Sequence, residues 1–353
     1  MERIAILGVA HLHVDAYIAN LRASSAEVIG VYDWDAERGS AWAAAHAVPH
    51  YADPQVLLAE GIDGVIICSE TVHHRELVEL AASAGAAVLC EKPLGVGFED
   101  SKAIVQACSE AGVRLMTAFP IRFDRSVTRI RDVIRRGDMG AVHAFTGTNQ
   151  SVMPMRERSW FADGRLAGGG AMMDHIVHLA DVYSWILGAP PHEVYAVNNR
   201  IVHNHAVTVE TSGLAVLNYP NGVFATIDCS WNRPLNYPSW GGMAFSVVAD
   251  AGTLETDVFR QQLTQFGGTR DLSWVPFGLD TNQLMIDEFL ASIREDREPL
   301  VTGLDGLAAT GVALAALESA ATGRPVALTA DRILAPARPG QTAAPLSSEL
   351  LNI

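Results

Sequence analysis

The first 120 residues constrain this chain most, because short apolar runs alternate there with amphipathic stretches. Ile4 to Gly8 is followed by a helical pattern to about Leu21 and then by the run Val28 to Tyr32. Gly64-Val65-Ile66-Ile67-Cys68, Ala87-Val88-Leu89-Cys90 and Val113-Arg114-Leu115-Met116 continue the series. Strands this uniformly apolar need cover on both faces, which a parallel sheet flanked by helices provides. The rhythm predicts an N-terminal Rossmann dinucleotide-binding domain over residues 1–120.

Beyond Pro120 the segments lengthen and begin to alternate, as in Val194 to Val202, Leu214 to Tyr219, Gly222 to Asp228 and Ala244 to Val248, with Asn221-Gly222 as a hairpin turn. Helical patterns run over about 123–136, 171–187, 281–294 and 304–322. The expectation is an α/β domain over 121–330 with a large, mainly antiparallel open sheet. So few helices cover one face only, so the sheet should also serve as a contact between identical subunits, in a homodimer or homotetramer. The tail 331–353, with Pro336, Pro339 and Pro345, has no periodicity and reads as extended.

Composition excludes several classes. At 353 residues the chain exceeds one ordinary core, and with 49% apolar and 18% charged residues it is too hydrophobic for disorder. No uninterrupted apolar run reaches 18 residues, so no membrane partner is expected. A formal charge of −15 repels phosphate polymers and argues against nucleic acid. Met1-Glu2-Arg3 leads straight into Ile4, unlike a secretion signal, which gives a cytoplasmic expectation. Cys68, Cys90, Cys108 and Cys229 lack CxxC spacing and read as reduced, inert thiols.

A strand ending at Gly8 and opening a helix is where a dinucleotide fold places its phosphate loop, since tight turns and free helix amides suit pyrophosphate. Of the three motif glycines only the first survives in Gly8-Val9-Ala10-His11-Leu12-His13. Asp33, twenty residues past the third motif position and directly after a strand, can accept both ribose hydroxyls. A carboxylate there repels a 2′-phosphate, so NAD is expected over NADP, with Arg38 as a minor opening for NADP and Trp34 as an adenine stacker. His11 and His13 read as lining the pyrophosphate or substrate edge. No third acidic or thiol ligand lies near them in sequence, so no metal is expected.

Glu91-Lys92-Pro93 follows the fourth strand and puts a lysine at the carboxyl edge of the sheet, where ligands bind in open α/β folds. Gly168-Gly169-Gly170 opens a helix carrying Asp174, His175 and His178. Asp174 and His178 are four apart on one face, which suits a carboxylate that orients a general base and equally suits an ordinary surface pair. His175 lies off that stripe.

On these residues the chain resembles the Gfo/Idh/MocA (glucose-fructose oxidoreductase and inositol dehydrogenase) family over nearly its whole length. Glu91-Lys92-Pro93 is similar to its E-K-P motif and Asp174 to His178 to its D-x-x-x-H pair. Ser69-Glu70-Thr71-Val72-His73-His74 is similar to its T-P-N-x-x-H turn with the first three positions altered, and Arg122 also fits. The resemblance implies Lys92, Asp174 and His178 as the catalytic set. It implies NAD contacts from Gly8, Ala10, His11, Leu12, Asp33, Trp34, Ser69, His74, Glu91 and Lys92.

Substrate contacts are expected from His13, Trp160 and His175, and from Arg122, Arg156, Arg158 and Arg165, guanidinium forks suited to an acidic headgroup. The expected activity is NAD-dependent oxidation of a secondary hydroxyl on a sugar, a sugar derivative (neutral or anionic) or a cyclitol. The alternative is an NAD-dependent glycosidase, acting for example on a sulfoquinovoside, that oxidises carbon 3, eliminates, hydrates and re-reduces. A cofactor-sensing regulator would have no use for Lys92, Asp174 and His178 together.

Overall fold

The computed structural model describes residues 1–329 and 332, apart from 25, 155–157, 261, 267–271 and 277. The first half winds as β1 (Arg3–Leu7), α1 (Val14–Ala23), β2 (Glu27–Tyr32), α2 (Ala36–His46), α3 (Pro54–Leu58) and β3 (Gly64–Ile67). It continues with α4 (His74–Ser83), β4 (Ala87–Cys90), α5 (Phe98–Ala111) and β5 (Leu115–Thr117). All five strands are parallel, in the order β2-β1-β3-β4-β5. The apolar runs are buried end to end in β3 and β4, as a sheet covered on both faces requires. All four cysteines are free and buried, and burial pushes their thiols up, Cys108 to about 12.

The second half opens with α6 (Arg125–Arg135), β6 (Val142–Val152), α7 (Gly164–Ala167) and α8 (Ala171–Leu187). β7 (Glu193–Asn199), β8 (Ser212–Asn218), β9 (Phe224–Arg233), β10 (Gly241–Ala249) and β11 (Gly252–Asp257) follow. Then come β12 (Gln262–Phe266), β13 (Leu272–Pro276), α9 (Thr281–Arg294), α10 (Gly303–Thr322) and β14 (Val326–Ala327). Seven strands form one sheet, β11-β10-β6-β9-β8-β7-β14, in which only β6 and β9 run parallel. β12 and β13 form a separate ribbon. Asn221-Gly222 turns β8 into β9, with Gly222 at φ +81°.

β6 escaped the sequence reading. Its Thr, Gly, Asn and Gln lack apolar alternation, yet it pairs with both β9 and β10 in the middle of the sheet. α8 and α10 pack on the inner face of this sheet and on each other. The outer face keeps Tyr195, Val197, Leu214, Phe224 and Val248 exposed.

α9 and α10 depart from the two-block division at 120, because α9 packs on α1 and α10 reaches α5 and β5 as well as α8 and β7. Enclosure on several sides explains why α10 is apolar nearly all round. By length and composition it is the one helix among the described residues that could cross a membrane, although 56% of that stretch is buried within the fold. The Gly, Thr and Ser scattered along it hide this from a search for unbroken apolar runs. The tail beyond 332 lies outside the described residues.

Candidate active site

Gly8 leaves β1 at φ +86°, and a Cβ there would stand 2.5 Å from Ser69, so the close approach of the two loops requires glycine. The Val9 amide donates to Asp33 Oδ2 at 2.6 Å. Asp33 Oδ1 accepts from the Asp35 amide (2.8 Å) and from Arg38 Nη2 and Nε (2.7 and 3.0 Å), and Arg38 reaches on to Glu70 Oε1 at 2.9 Å. The carboxylate at the ribose position thus carries an arginine partner, and Arg38 is part of that site. Trp34 is exposed and stacks on His73, ring centres 4.6 Å apart.

At the end of β4 the side chains of Glu91 and Lys92 serve different partners. Glu91 is buried and its Oε1 accepts from Tyr17 Oη (2.6 Å) and His13 Nδ1 (2.8 Å), while Oε2 accepts from the Lys92 amide (3.1 Å). Burial favours its neutral form, but His11, His13 and Lys92 outweigh burial and hold its pKa far below the carboxylate range. Lys92 Nζ donates to Asp174 Oδ1 at 2.6 Å, a buried ion pair between the two halves of the chain.

Asp174 lies in the first turn of α8, whose entry glycines have a steric reason. Gly168 has φ +82°, and a Cβ on Gly170 would overlap the Glu210 carbonyl. The Glu210 side chain in turn accepts from the Gly170 and Met172 amides at 2.8 and 3.0 Å. Asp174 Oδ2 accepts from Trp231 Nε1 at 3.0 Å and lies 3.1 Å from His175 Nε2. Burial would raise the Asp174 pKa; Lys92 and His175 overcome it and hold the group ionised. One turn on, His178 packs edge-on against Phe119, with Nδ1 buried and without a partner among the described residues. Burial and then the Lys92 charge push its pKa well down, with Asp174 opposing, so the imidazole is neutral near pH 7.

A buried lysine–carboxylate pair beside a neutral imidazole, at the carboxyl end of a parallel sheet with a glycine-cradled loop, is a site for moving a proton next to a dinucleotide. Residues 2–119 match the oxidoreductase family described by its NAD-binding Rossmann fold, and residues 127–255 match the Gfo/Idh/MocA C-terminal domain. The chain is 32% identical over 231 residues to a D-xylose 1-dehydrogenase (NADP(+)) of Haloferax volcanii, covering 65% of this chain and 69% of that protein. The chain belongs to the Gfo/Idh/MocA family. A myo-inositol 2-dehydrogenase of Thermotoga maritima is 28% identical over 79% of this chain and 84% of its own. GenD2 from gentamicin A biosynthesis, solved with NAD, shares the fold at a TM-score of 0.84 and 21% identity, covering 93% of this chain and 96% of that one.

The residues present fit the NAD of this Gfo/Idh/MocA dehydrogenase: the Gly8 cradle would admit a pyrophosphate and Asp33 closes β2. His74 is buried and kept neutral by burial, and its Nδ1 is 3.1 Å from the Pro93 carbonyl, which fixes the loop carrying Lys92 and leaves Nε2 without a partner among the described residues. Ser69 Oγ is turned to the Glu70 carbonyl. Ala10 is buried, and its carbonyl accepts from Trp160 Nε1 at 3.1 Å, so Trp160 ties the second half to the phosphate loop; Leu12 packs on the same cluster.

Four expectations need correction. Asp174 does not bond His178, because Lys92, Trp231 and His175 take its oxygens; shared helical face did not mean shared bond. His175, read at first as a packed residue off the stripe, belongs to the Asp174 group and also lies 3.3 Å from Ser151 Oγ. Arg122 is not in the pocket: it is buried between Asp181 (Nε to Oδ2 2.7 Å) and Asp305 (3.0 Å), two carboxylates that need a guanidinium. Arg165 is exposed and pairs with Asp163 at 3.0 Å. Arg158 is partly buried ahead of Trp160, and Arg156 lies outside the described residues.

Tyr17, Trp231, Ser151 and Glu210 went unnoticed in sequence. Tyr17 alone carried a signal, standing four residues after His13 on α1. The third acidic group missing beside His11 and His13 in sequence arrives in space as Glu91, 3.5 and 2.8 Å from their Nδ1 atoms.

Proposed function

We propose that this enzyme oxidises a secondary hydroxyl of a sugar or cyclitol, with His178 as proton acceptor and Lys92 as the group that polarises the reacting oxygen. NAD supplies the hydride acceptor. The observation that carries the reading is the buried Lys92–Asp174 pair one helical turn from a neutral His178. Asp174 takes one donor of the Lys92 ammonium, which has three, and the others are available to a substrate oxygen. His178 is neutral and therefore able to take the hydroxyl proton, and Asp174, fixed by Trp231 and His175, holds Lys92 rather than the base. With Arg122 and Arg165 committed elsewhere, a neutral polyol is favoured over an anionic sugar.

The test is a panel of hexoses, pentoses, inositols, their carboxylate and sulfonate derivatives and chromogenic glycosides, each with NAD, following NADH absorbance and aglycone release together. NADH accumulating with a neutral polyol supports the reading. Aglycone release without net NADH would replace it with the redox-neutral glycosidase.

We further infer that two copies pair through the outer face of the seven-stranded sheet. Tyr195 and Val197 oppose Val216 and Leu214 across β7 and β8, giving that face neighbouring apolar side chains. Light scattering at micromolar protein should report a dimer or tetramer, and Leu214→Glu should shift it toward monomer. A monomer in the unaltered protein sinks this.

A further inference from the structure

We propose that His11, His13 and Glu91 form a divalent transition-metal site at the mouth of the cofactor cleft. Each offers one ligand atom, and these atoms lie within 4.8 Å of one another. His11 Nδ1 and His13 Nδ1 are 3.5 and 2.8 Å from the same Glu91 Oε1. Ligands held about 2.0–2.2 Å from a tetrahedral ion stand about 3–3.5 Å apart, so these two separations already approach those of a filled site.

His11 carries the argument furthest. Its ring is buried, and Nε2 has no partner among the described residues. Nδ1 accepts from the His13 amide at 3.3 Å, which places a lone pair there, and that lone pair also faces a carboxylate oxygen. Moving the proton to Nδ1 relieves this contact, but it turns the His13 N–H against another hydrogen and leaves a buried lone pair on Nε2. Neither tautomer satisfies the ring. A cation between Nδ1 and Oε1 satisfies the lone pair and the carboxylate together.

The ligand set selects the ion. Two imidazoles and one carboxylate suit zinc, manganese(II) or iron(II), while calcium and magnesium favour sites built from oxygen. Tyr17 donates to Oε1 at 2.6 Å and so orients the carboxylate. His13 keeps 21% of its side chain exposed, so one side of the cluster is open. Lys92, the neighbouring cation, is paired with Asp174 and does not leave the cluster facing an uncompensated positive charge.

The proposal is independent of the substrate reading, and its test uses binding alone. Tag-free protein is stripped with a chelator, dialysed and titrated calorimetrically with zinc chloride and, separately, manganese chloride, and bound metal is counted by mass spectrometry. One equivalent of either ion at micromolar or tighter affinity is expected, weakened at least about 100-fold in His11→Ala and His13→Ala. Circular dichroism and melting check the folding of both variants, and part-exposed His13 decides the matter if His11→Ala does not fold. Absence of stoichiometric metal in the unaltered protein would overturn the proposal and leave a hydrogen-bonded network. Metal bound equally well by the His13→Ala protein would place the ion elsewhere and overturn it too.

Discussion

Helix α8 carries two buried carboxylates seven residues apart, Asp174 near its start and Asp181 toward its end, and each holds a buried cation from the first half of the chain. At the start, Lys92 meets one carboxylate, and that carboxylate has Trp231 and His175 as further partners. At the other end, Arg122 is divided between Asp181 and Asp305, touches the Leu300 carbonyl at 3.4 Å and lies 5.2 Å from the Trp185 ring. Burial and ion pairing are common to both ends. They differ in spare bonding capacity: the lysine has unused donors beside the cleft and a neutral imidazole one turn away, whereas the arginine fork is spent. Chemistry belongs to the first end and rigidity to the second.

The sharpest way to break this comparison is to remove each cation. Lys92→Ala should lower kcat/KM by about 10³-fold, roughly 4 kcal/mol of transition-state stabilisation, with a smaller loss of stability because Trp231 and His175 still hold Asp174. Arg122→Ala should do the reverse, costing about 3–5 kcal/mol in urea unfolding by leaving carboxylates buried without their cation, with KM little changed in the folded fraction. A raised KM at full stability in Arg122→Ala would return that residue to the pocket.

His178→Ala should cost about 10²–10⁴-fold in turnover. Because burial and Lys92 lower the His178 pKa, the base form persists into more acidic solution, and the acidic limb of kcat/KM should fall below about pH 6.5. A limb above that value contradicts a depressed imidazole.

Asp33→Ala should narrow the preference for NAD over NADP by about 10-fold, since it frees Arg38 to meet a 2′-phosphate. Equal calorimetric affinities for both dinucleotides in the unaltered protein would deny Asp33 that role. Arg165→Ala, at the exposed extreme, should change kcat, KM and stability by less than about 0.5 kcal/mol.

Much of the fold was legible because its signals are local. α8 ends at Leu187 and α9 spans Thr281–Arg294, as their periodicity predicted, and the parallel strands announced themselves as apolar runs. β6 was invisible because a polar strand in a mixed sheet takes its identity from its neighbours. Spacing likewise located Asp174 and His178 on one helix without revealing that Lys92, 82 residues upstream, would claim the carboxylate. The Glu91–His13 contact spans 78 residues and joins two loops, which no periodicity encodes. Arginine type and order suggested an anion pocket, but a guanidinium goes where carboxylates need it, and Asp181 and Asp305 become its neighbours only in three dimensions.

The return of α9 and α10 onto the first half bears on how the molecule deforms. α10 touches β5 and α5 on one side and α8 and β7 on the other, and an isolated bridge links Thr302 to Met116. A hinge needs two bodies joined by one or two strands of chain, and this strut spans both bodies with a packed apolar surface. Swinging the halves apart would shear that surface, so the cleft is stiff against bending, and ligand entry falls to the loops at its rim.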